Sequence, residues 1–301
     1  MKETCAMVLS AVMAMSLAGC GGSKAAESTA AATQTQAESS ETTAKKETES
    51  ETSQEAAAEE KTELIVFAAA SMTETMTKIV EMYKEVKPIV EIVYTFDSSG
   101  TLKTQIEEGA DCDIFISAAQ KQMNQLDISA APSVNTDGLD FVDGDTRFNL
   151  VENKVALAVP DGNPAGIESY EDLGTDKLEL ICLGNDDVPV GAYSEEILTG
   201  LGILKKLEAD SKITYGSNVK EVTTQVKEAS VDCGIIYATD AFSAGLTVVD
   251  EADKDQCKQV IYPAAVLKIT KNKEEALAFL DYLTTDDCGE VFESVGFSMV
   301  K

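Results

Sequence analysis

Two junctions in this 301-residue chain place hydroxyls where an apolar strand gives way to a helix. One is Leu64-Ile65-Val66-Phe67-Ala68-Ala69-Ala70-Ser71; the other is Val93-Tyr94-Thr95-Phe96-Asp97-Ser98-Ser99-Gly100-Thr101. The first turn of a helix leaves N–H groups without intrahelical partners and carries partial positive charge. Hydroxyls added there make a place that suits an anion. Charged anion clamps are scarce, for the chain has no histidine and a single arginine, Arg147.

Taken one at a time, these residues have ordinary structural explanations. Ser71-Met72-Thr73-Glu74 reads as a capping box, and so does Asn218-Val219-Lys220-Glu221. Val190 and Gly191 follow Pro189, which lacks an N–H and sets the turn. Tyr237 closes an apolar strand and reads equally as a core aromatic. Ser98-Ser99 is harder to explain this way, because one serine is enough for a cap.

The elements that must position these residues alternate between strand and helix. Leu64 to Ala68 is a strand, and Met72, Met76, Ile79, Val80 and Tyr83 recur at helical spacing after it. Ile89 to Phe96 is a second strand, followed by a helix that stops at Gly109. Asp113 to Ser117 is a third, with a helix expected from Ala118 to Leu126. Single helices between successive strands imply right-handed crossovers and a parallel sheet, with Ser71, Ser98, Ser99 and Ser117 at one edge. The pattern restarts at Lys154 with strands Val155–Val159, Leu178–Leu183, Ile213–Tyr215 and Gly234–Tyr237, and with helices from about Ala192 to Leu207 and through Val222 and Val226. Val260 to Ile269 and a helix from Glu274 to Leu283 complete it, before a tail with Val295-Gly296-Phe297. The expected fold is α/β with two lobes, each a mostly parallel sheet flanked by helices. Residues 63–150 and 262–301 form the first lobe and 151–261 the second.

What precedes the lobes is of another kind. Ala6 to Ala18 is an apolar run too short to span a bilayer, closing on Leu17-Ala18-Gly19-Cys20. It resembles the lipobox of bacterial lipoproteins, so residues 1–20 are expected to be a lipoprotein signal peptide and Cys20 the lipidated residue. Residues 21–62 contain no Leu, Ile, Val, Met or Phe and read as a disordered acidic linker. The lobes carry most of the net charge of −29, which speaks against nucleic acid and means that local dipoles, not the overall field, must hold an anion. Cys112, Cys182, Cys233, Cys257 and Cys288 are odd in number and lack CxxC spacing, so buried thiols are expected, not a zinc site.

As a set, these motifs resemble the periplasmic molybdate-binding proteins of ABC importers. The resemblance rests on Phe67-Ala68-Ala69-Ala70-Ser71, Phe96-Asp97-Ser98-Ser99-Gly100-Thr101-Leu102 and Ala110-Asp111-Cys112-Asp113-Ile114-Phe115-Ile116-Ser117-Ala118. Gly234-Ile235-Ile236-Tyr237-Ala238-Thr239-Asp240-Ala241 and the segment from Ala278 to Phe297 extend it over about 63 to 301. It implies a tetrahedral oxyanion bound by the hydroxyls and N–H groups of Ser71 and Ser99, the N–H groups of Val190 and Val219, and the phenol of Tyr237. It also implies a membrane permease as partner, with the membrane reached through lipid on Cys20. The protein is expected to be a monomer, to carry no cofactor and no cation ligands, and to be extracytoplasmic and not an enzyme. Asp97 departs from the family, where a small residue is common. Its carboxylate would repel an anion unless it points away or accepts hydrogen bonds from the loop.

Other functions fit less well. A receptor for phosphate or sulfate is the closest alternative, since Asp97 offers an acceptor to protonated phosphate. A serine hydrolase would have to use a Ser-Lys pair, because there is no histidine. With no tryptophan to stack on a sugar and one arginine for a carboxylate, sugars and amino acids are poor ligands. Replacing Cys20 by serine is expected to release the protein from the membrane or leave it unprocessed, with anion binding intact. Membrane fractionation checks this, and a Cys20→Ser protein still processed and bound would refute the lipid anchor.

Overall fold

The computed structural model describes residues 61–300. The expected signal peptide, Cys20 and the acidic linker lie outside the described residues, apart from the last two positions of the linker. In chain order the first half contains β1 (Thr62–Ala69), α1 (Thr73–Val86), β2 (Val90–Asp97), α2 (Ser99–Glu107), β3 (Ile114–Ile116), α3 (Gln120–Gln125), β4 (Phe148–Asn153) and β5 (Val155–Val159). The second half contains β6 (Ile181–Gly184), α4 (Pro189–Gly200), α5 (Leu204–Ala209), β7 (Ile213–Gly216), α6 (Val219–Lys227), β8 (Cys233–Tyr237), α7 (Ala238–Ala244) and β9 (Thr247–Glu251). The chain closes with β10 (Val260–Val266), α8 (Lys273–Leu283), α9 (Asp286–Glu293) and β11 (Ser298–Met299).

Two sheets result, in the orders β11-β4-β10-β3-β1-β2 and β7-β6-β8-β5-β9. In the first, β1 pairs parallel with both β2 and β3, as the single-helix crossovers require. In the second, β6 pairs parallel with β7 and β8. Antiparallel strands then extend each triplet, so both sheets are mixed. β10 and β4 extend the first, β5 and β9 the second. The C-terminal segment returns to the first sheet, with β10 inserted between β3 and β4. Because β4 runs to Asn153 and pairs there with Val260, the first sheet reaches a few residues past the expected division at 150 and 262. The chain passes to the second sheet at Lys154.

The helices follow from their buried faces and end signals. In α1 the expected residues Met76, Ile79, Val80 and Tyr83 are buried, and the helix stops just before Pro88. In α2 the Ser98 hydroxyl caps by accepting from the Thr101 N–H at 3.0 Å, and Gly109 follows the helix at φ +92°. The helix expected over 192–207 is two helices, beginning at Pro189 and interrupted after Gly200. Proline at the first position loses only an N–H that has no partner there anyway, and Gly202 at φ +72° turns the chain out of the helix cheaply. The periodicity missed β4, α7 and α9 and the short β9 and β11, whose exposed or brief patterns carry little signal. All five described cysteines are free and buried, as expected.

Between the sheets lies an aromatic layer around Tyr262 of β10. Its ring meets Tyr237 at 5.9 Å and Phe297 at 5.4 Å, both edge-on. Beside it, at the first crossing, Asn153 donates from Nδ2 to Thr239 Oγ1 at 2.9 Å and to Tyr262 Oη at 3.1 Å.

Candidate functional site

The strand ends expected to converge do so, in one cavity between the sheets. Ser71, Ser99, Val219 and Tyr237 all line it. Val190 is not among the lining residues, though its neighbours Val188 and Pro189 are. The cavity is small, about 190 Å³ free of protein atoms, of which about 10 Å³ can hold the centre of a water-sized sphere. By that second measure two surface clefts reach about 570 Å³, but neither gathers helix ends from strand junctions as this cavity does. As the lobes stand, that is room for about one water molecule, so a tetrahedral ion needs them to part slightly. A sugar or amino acid needs the several hundred cubic ångströms of an ordinary ligand pocket.

Each lining group has a position set by its element. Ser98 serves as the cap of α2, which leaves Ser99 free for another task. The Ser99 hydroxyl accepts from the Ala118 N–H at 2.9 Å, so its own proton is available to the cavity. Ser99 is also the first residue of α2, where the N–H has no intrahelical partner. Val219 holds the same place in α6, whose Asn218 caps the Glu221 N–H at 3.0 Å. The expected capping box closes one residue early, since Glu221 accepts from the Ser217 N–H instead of from Asn218. In α4, Pro189 removes the first donor and Val190 supplies the next.

Ser71 departs from expectation. It sits in a 3-10 turn over Ala70–Met72 and does not cap α1; no side chain does. The extra turn moves the start of α1 to Thr73 and swings the hydroxyl towards the Tyr262 phenol, 2.8 Å away. Tyr262 also accepts from Asn153 Nδ2, and either hydroxyl can donate in the bond it shares with Ser71. With the phenol as donor, Ser71 keeps its own proton for the cavity. Sequence reasoning missed Tyr262, because a tyrosine in a buried strand carries no mark that separates a proton relay from core packing. Ser117, also expected at this edge, is occupied locally: its hydroxyl donates to the Ala119 carbonyl at 2.7 Å.

Tyr237 is fully buried and its hydroxyl has no hydrogen-bond partner among the described residues. Burial pushes the phenol well above its ordinary range, with Tyr262 adding to the effect, so it remains a donor. An unpaired buried hydroxyl costs about 1–3 kcal/mol, and a ligand in the cavity would recover that. Asp97 lines the cavity too, but its Oδ1 accepts from the Ser98 N–H at 2.7 Å and from Asn218 Nδ2 at 3.2 Å. The carboxylate is thus engaged by the loop, one of the two arrangements that make it compatible with a neighbouring anion.

Beyond the Asn153–Thr239 bond and the Tyr237–Tyr262 ring contact, three more contacts cross between the lobes near this cavity. Asn218 meets Asp97, Lys220 meets Glu74, and the Gly100 N–H donates to the Asp187 carbonyl at 2.9 Å. The last sets backbone against backbone. A Cβ on Gly100 would stand 2.4 Å from that carbonyl oxygen, although the Gly100 backbone is ordinary helix. Near the cavity Asp240 is wholly buried beside Lys220, Glu74, Tyr237 and Tyr262, and burial raises its carboxyl to about 6 despite the lysine.

A cavity between two α/β lobes, lined from both by residues with hydroxyls and helix-end N–H groups, is the arrangement of a two-lobed solute-binding protein. Comparison agrees: residues 64–298 match the bacterial extracellular solute-binding protein family, and the chain belongs to it. It is 35% identical to a putative ABC transporter substrate-binding lipoprotein of Bacillus subtilis, YvgL, over 80% of this chain and 88% of that one. It is 33% identical to the molybdate-binding protein ModA of Haemophilus influenzae, over 78% of this chain and 90% of that one. Among solved structures, the substrate-binding domain of a putative molybdenum ABC transporter from Clostridium difficile superposes with a TM-score of 0.60 at 35% identity, covering 80% of this chain and all of that one.

Two outcomes are expected. Gly100→Ala should leave both lobes folded, since alanine suits a helix better, yet hold them apart. Scattering should then give a larger radius of gyration with an unchanged circular dichroism spectrum; an unchanged radius would show that the gap is set elsewhere. Asp240 should make the domain more stable in mild acid. Its carboxyl is raised above its unfolded value of 3.8, so its contribution is complete below that value and is lost as pH rises through about 6. Lowering pH from 8 to 5 should stabilise the fold by about 1–2 kcal/mol through this group, and Asp240→Asn should abolish that rise in melting temperature.

Proposed function

We propose that this chain captures molybdate, or its near-twin tungstate, and presents it to the membrane permease of an ABC importer. The observation that carries the reading is the wall of the cavity. Ser71, Ser99, Val219 and Tyr237, which carry hydroxyls and helix-end N–H groups, line one small cavity, with no cationic side chain among the described lining residues. Donors without acceptor partners suit a fully deprotonated dianion. Protonated phosphate would also need an acceptor, and since Asp97 Oδ1 already receives two bonds it would have to use Oδ2 of the same carboxylate. The named binding preferences of the Haemophilus and Clostridium relatives support the same ion. Val190, one residue beyond the lining, adds its N–H if the helix end shifts towards the ion.

The magnitudes are adequate. Roughly six hydrogen bonds to a charged ligand contribute ~9–18 kcal/mol before the cost of closing the lobes. Micromolar to nanomolar affinity needs about 8–12 kcal/mol. The reading is of a carrier and not an enzyme: Ser71 bonds a phenol and Ser99 a backbone N–H, so neither hydroxyl meets a general base. The protein acts outside the cytoplasm as a monomer, held to the membrane by lipid on Cys20. The lipoprotein name of the Bacillus relative supports the anchor.

Calorimetric titration against molybdate, tungstate, sulfate and phosphate tests the assignment. Molybdate and tungstate should bind and raise the melting temperature, while sulfate, too small for the ring of donors, should do much less. Equal responses to sulfate or phosphate would overturn it. Tyr237→Phe gives the sharpest single-residue outcome. It removes a hydroxyl that has no well-formed hydrogen bond among the described residues, its nearest polar neighbour being the Tyr262 phenol, so stability without ligand should hold or improve. Molybdate affinity should fall by roughly 10- to 100-fold, the value of one charge-assisted bond. Unchanged affinity would place the phenol outside the ligand shell.

A further inference from the structure

The helix ends that supply the anion donors also carry a charge cluster that donation does not explain. Glu74 lies three residues past Ser71 in α1, and Lys220 follows Val219 in α6. Lys220 Nζ donates to both oxygens of Glu74, at 2.8 and 2.6 Å, and stands 3.0 Å from Asp240 Oδ1. Glu74 belongs to the first lobe, whereas Lys220 and Asp240 belong to the second. One arm of the cluster therefore crosses the gap and the other does not.

The two arms differ in burial in a way that assigns their roles. Asp240 is wholly buried, and neither of its oxygens receives a well-aligned hydrogen bond. Lys220 is its nearby positive charge. A lysine fixed in one rotamer gives up much conformational freedom, and Asp240 imposes that loss within the second lobe, before the lobes meet. The ammonium is thus kept at the cleft instead of wandering in water. Glu74 is 48% exposed, so it is free to part from Lys220 when the cleft opens.

We propose that Lys220 is a positioning residue for capture: anchored by Asp240, its ammonium bonds Glu74 only when the lobes meet, and that bond slows reopening and hence release of the anion. The identity of the anion rests on the function proposed above; the clasp itself does not. Association should be affected less than release, because a bond between groups at hydrogen-bond distance forms only once the lobes have closed. The effect must be modest, since a half-exposed pair is screened by water and salt.

The test uses the full chain with two readouts, molybdate release by stopped flow and amide exchange at Gly100. The Gly100 N–H bonds the other lobe's Asp187 carbonyl, so its exchange reports closure whatever the ligand. Glu74→Gln should speed molybdate release about two- to fivefold and speed Gly100 exchange by a similar factor, with both effects shrinking in high salt. Lys220→Arg should keep wild-type behaviour. Lys220→Met would strand the buried Asp240 carboxylate, so the double variant Lys220→Met with Asp240→Asn serves as the background in which Glu74→Gln should have no further effect. Unchanged release and exchange in Glu74→Gln, or an equal effect with and without Lys220, would overturn the proposal. A wild type that takes up no molybdate would instead refute the assigned anion, and Gly100 exchange would still decide the clasp.

Discussion

A helix cannot pair the N–H groups of its own first turn, and this site is built on that shortfall. At α2 and α6 a cap residue, Ser98 or Asn218, takes the N–H of the third helical position. The first position is left open, and in both helices that residue lines the cavity. Such donors are fixed by the fold before any ligand arrives, so no side-chain freedom is lost in aligning them. They also carry no full charge, which spares the protein a buried cation when the site is empty. The hydroxyls of Ser71 and Ser99 extend the same design. Ser99 is held as an acceptor by the Ala118 N–H, which leaves its own proton free, and Ser71 shares a hydrogen bond with the Tyr262 phenol.

The chain's strong negative charge makes this local design necessary. A field of that sign repels a dianion at long range, and salt screens it beyond about a Debye length. Within the cavity the balance reverses, because oriented dipoles at bonding distance act through little intervening water. Asp97 shows the same balance at one residue. Its carboxylate lines the cavity, but a backbone N–H and an amide from the opposite lobe converge on one of its oxygens. The residue that could oppose the ligand thereby helps to join the lobes.

Closure is governed by contacts of different stiffness. The Gly100–Asp187 approach is backbone against backbone and leaves no room for even a methyl group. It therefore defines how far the lobes can come together. The Asn218–Asp97 and Lys220–Glu74 contacts are side-chain bonds that break without disturbing either lobe. A site of this kind needs both features: a hard stop that sizes the cavity, and soft links that let it reopen.

The local signals in the sequence were sufficient for the parallel triplets, the helix faces and the serine junctions, because strand and helix periods are written in consecutive residues. They were also sufficient to place Ser71, Ser98, Ser99 and Ser117 at one edge of the first sheet, whereas the family resemblance singled out Val219 and Tyr237 in the second lobe. They did not separate cap from ligand group: the capping-box pattern at Ser71 was occupied by a 3-10 turn, while the paired serines divided into a cap and a free hydroxyl. Which neighbour each hydroxyl meets depends on strands far apart in the chain, as Ser71 and Tyr262 are 191 residues apart. The antiparallel extensions of both sheets, the role of Asn153 at the crossing and the meeting of Lys220 with Glu74 were equally invisible. What the sequence determined by itself was the kind of group presented at each helix end. Only the tertiary structure decided how those ends face one another, because the distance between two lobes is set by packing among residues that no local period connects.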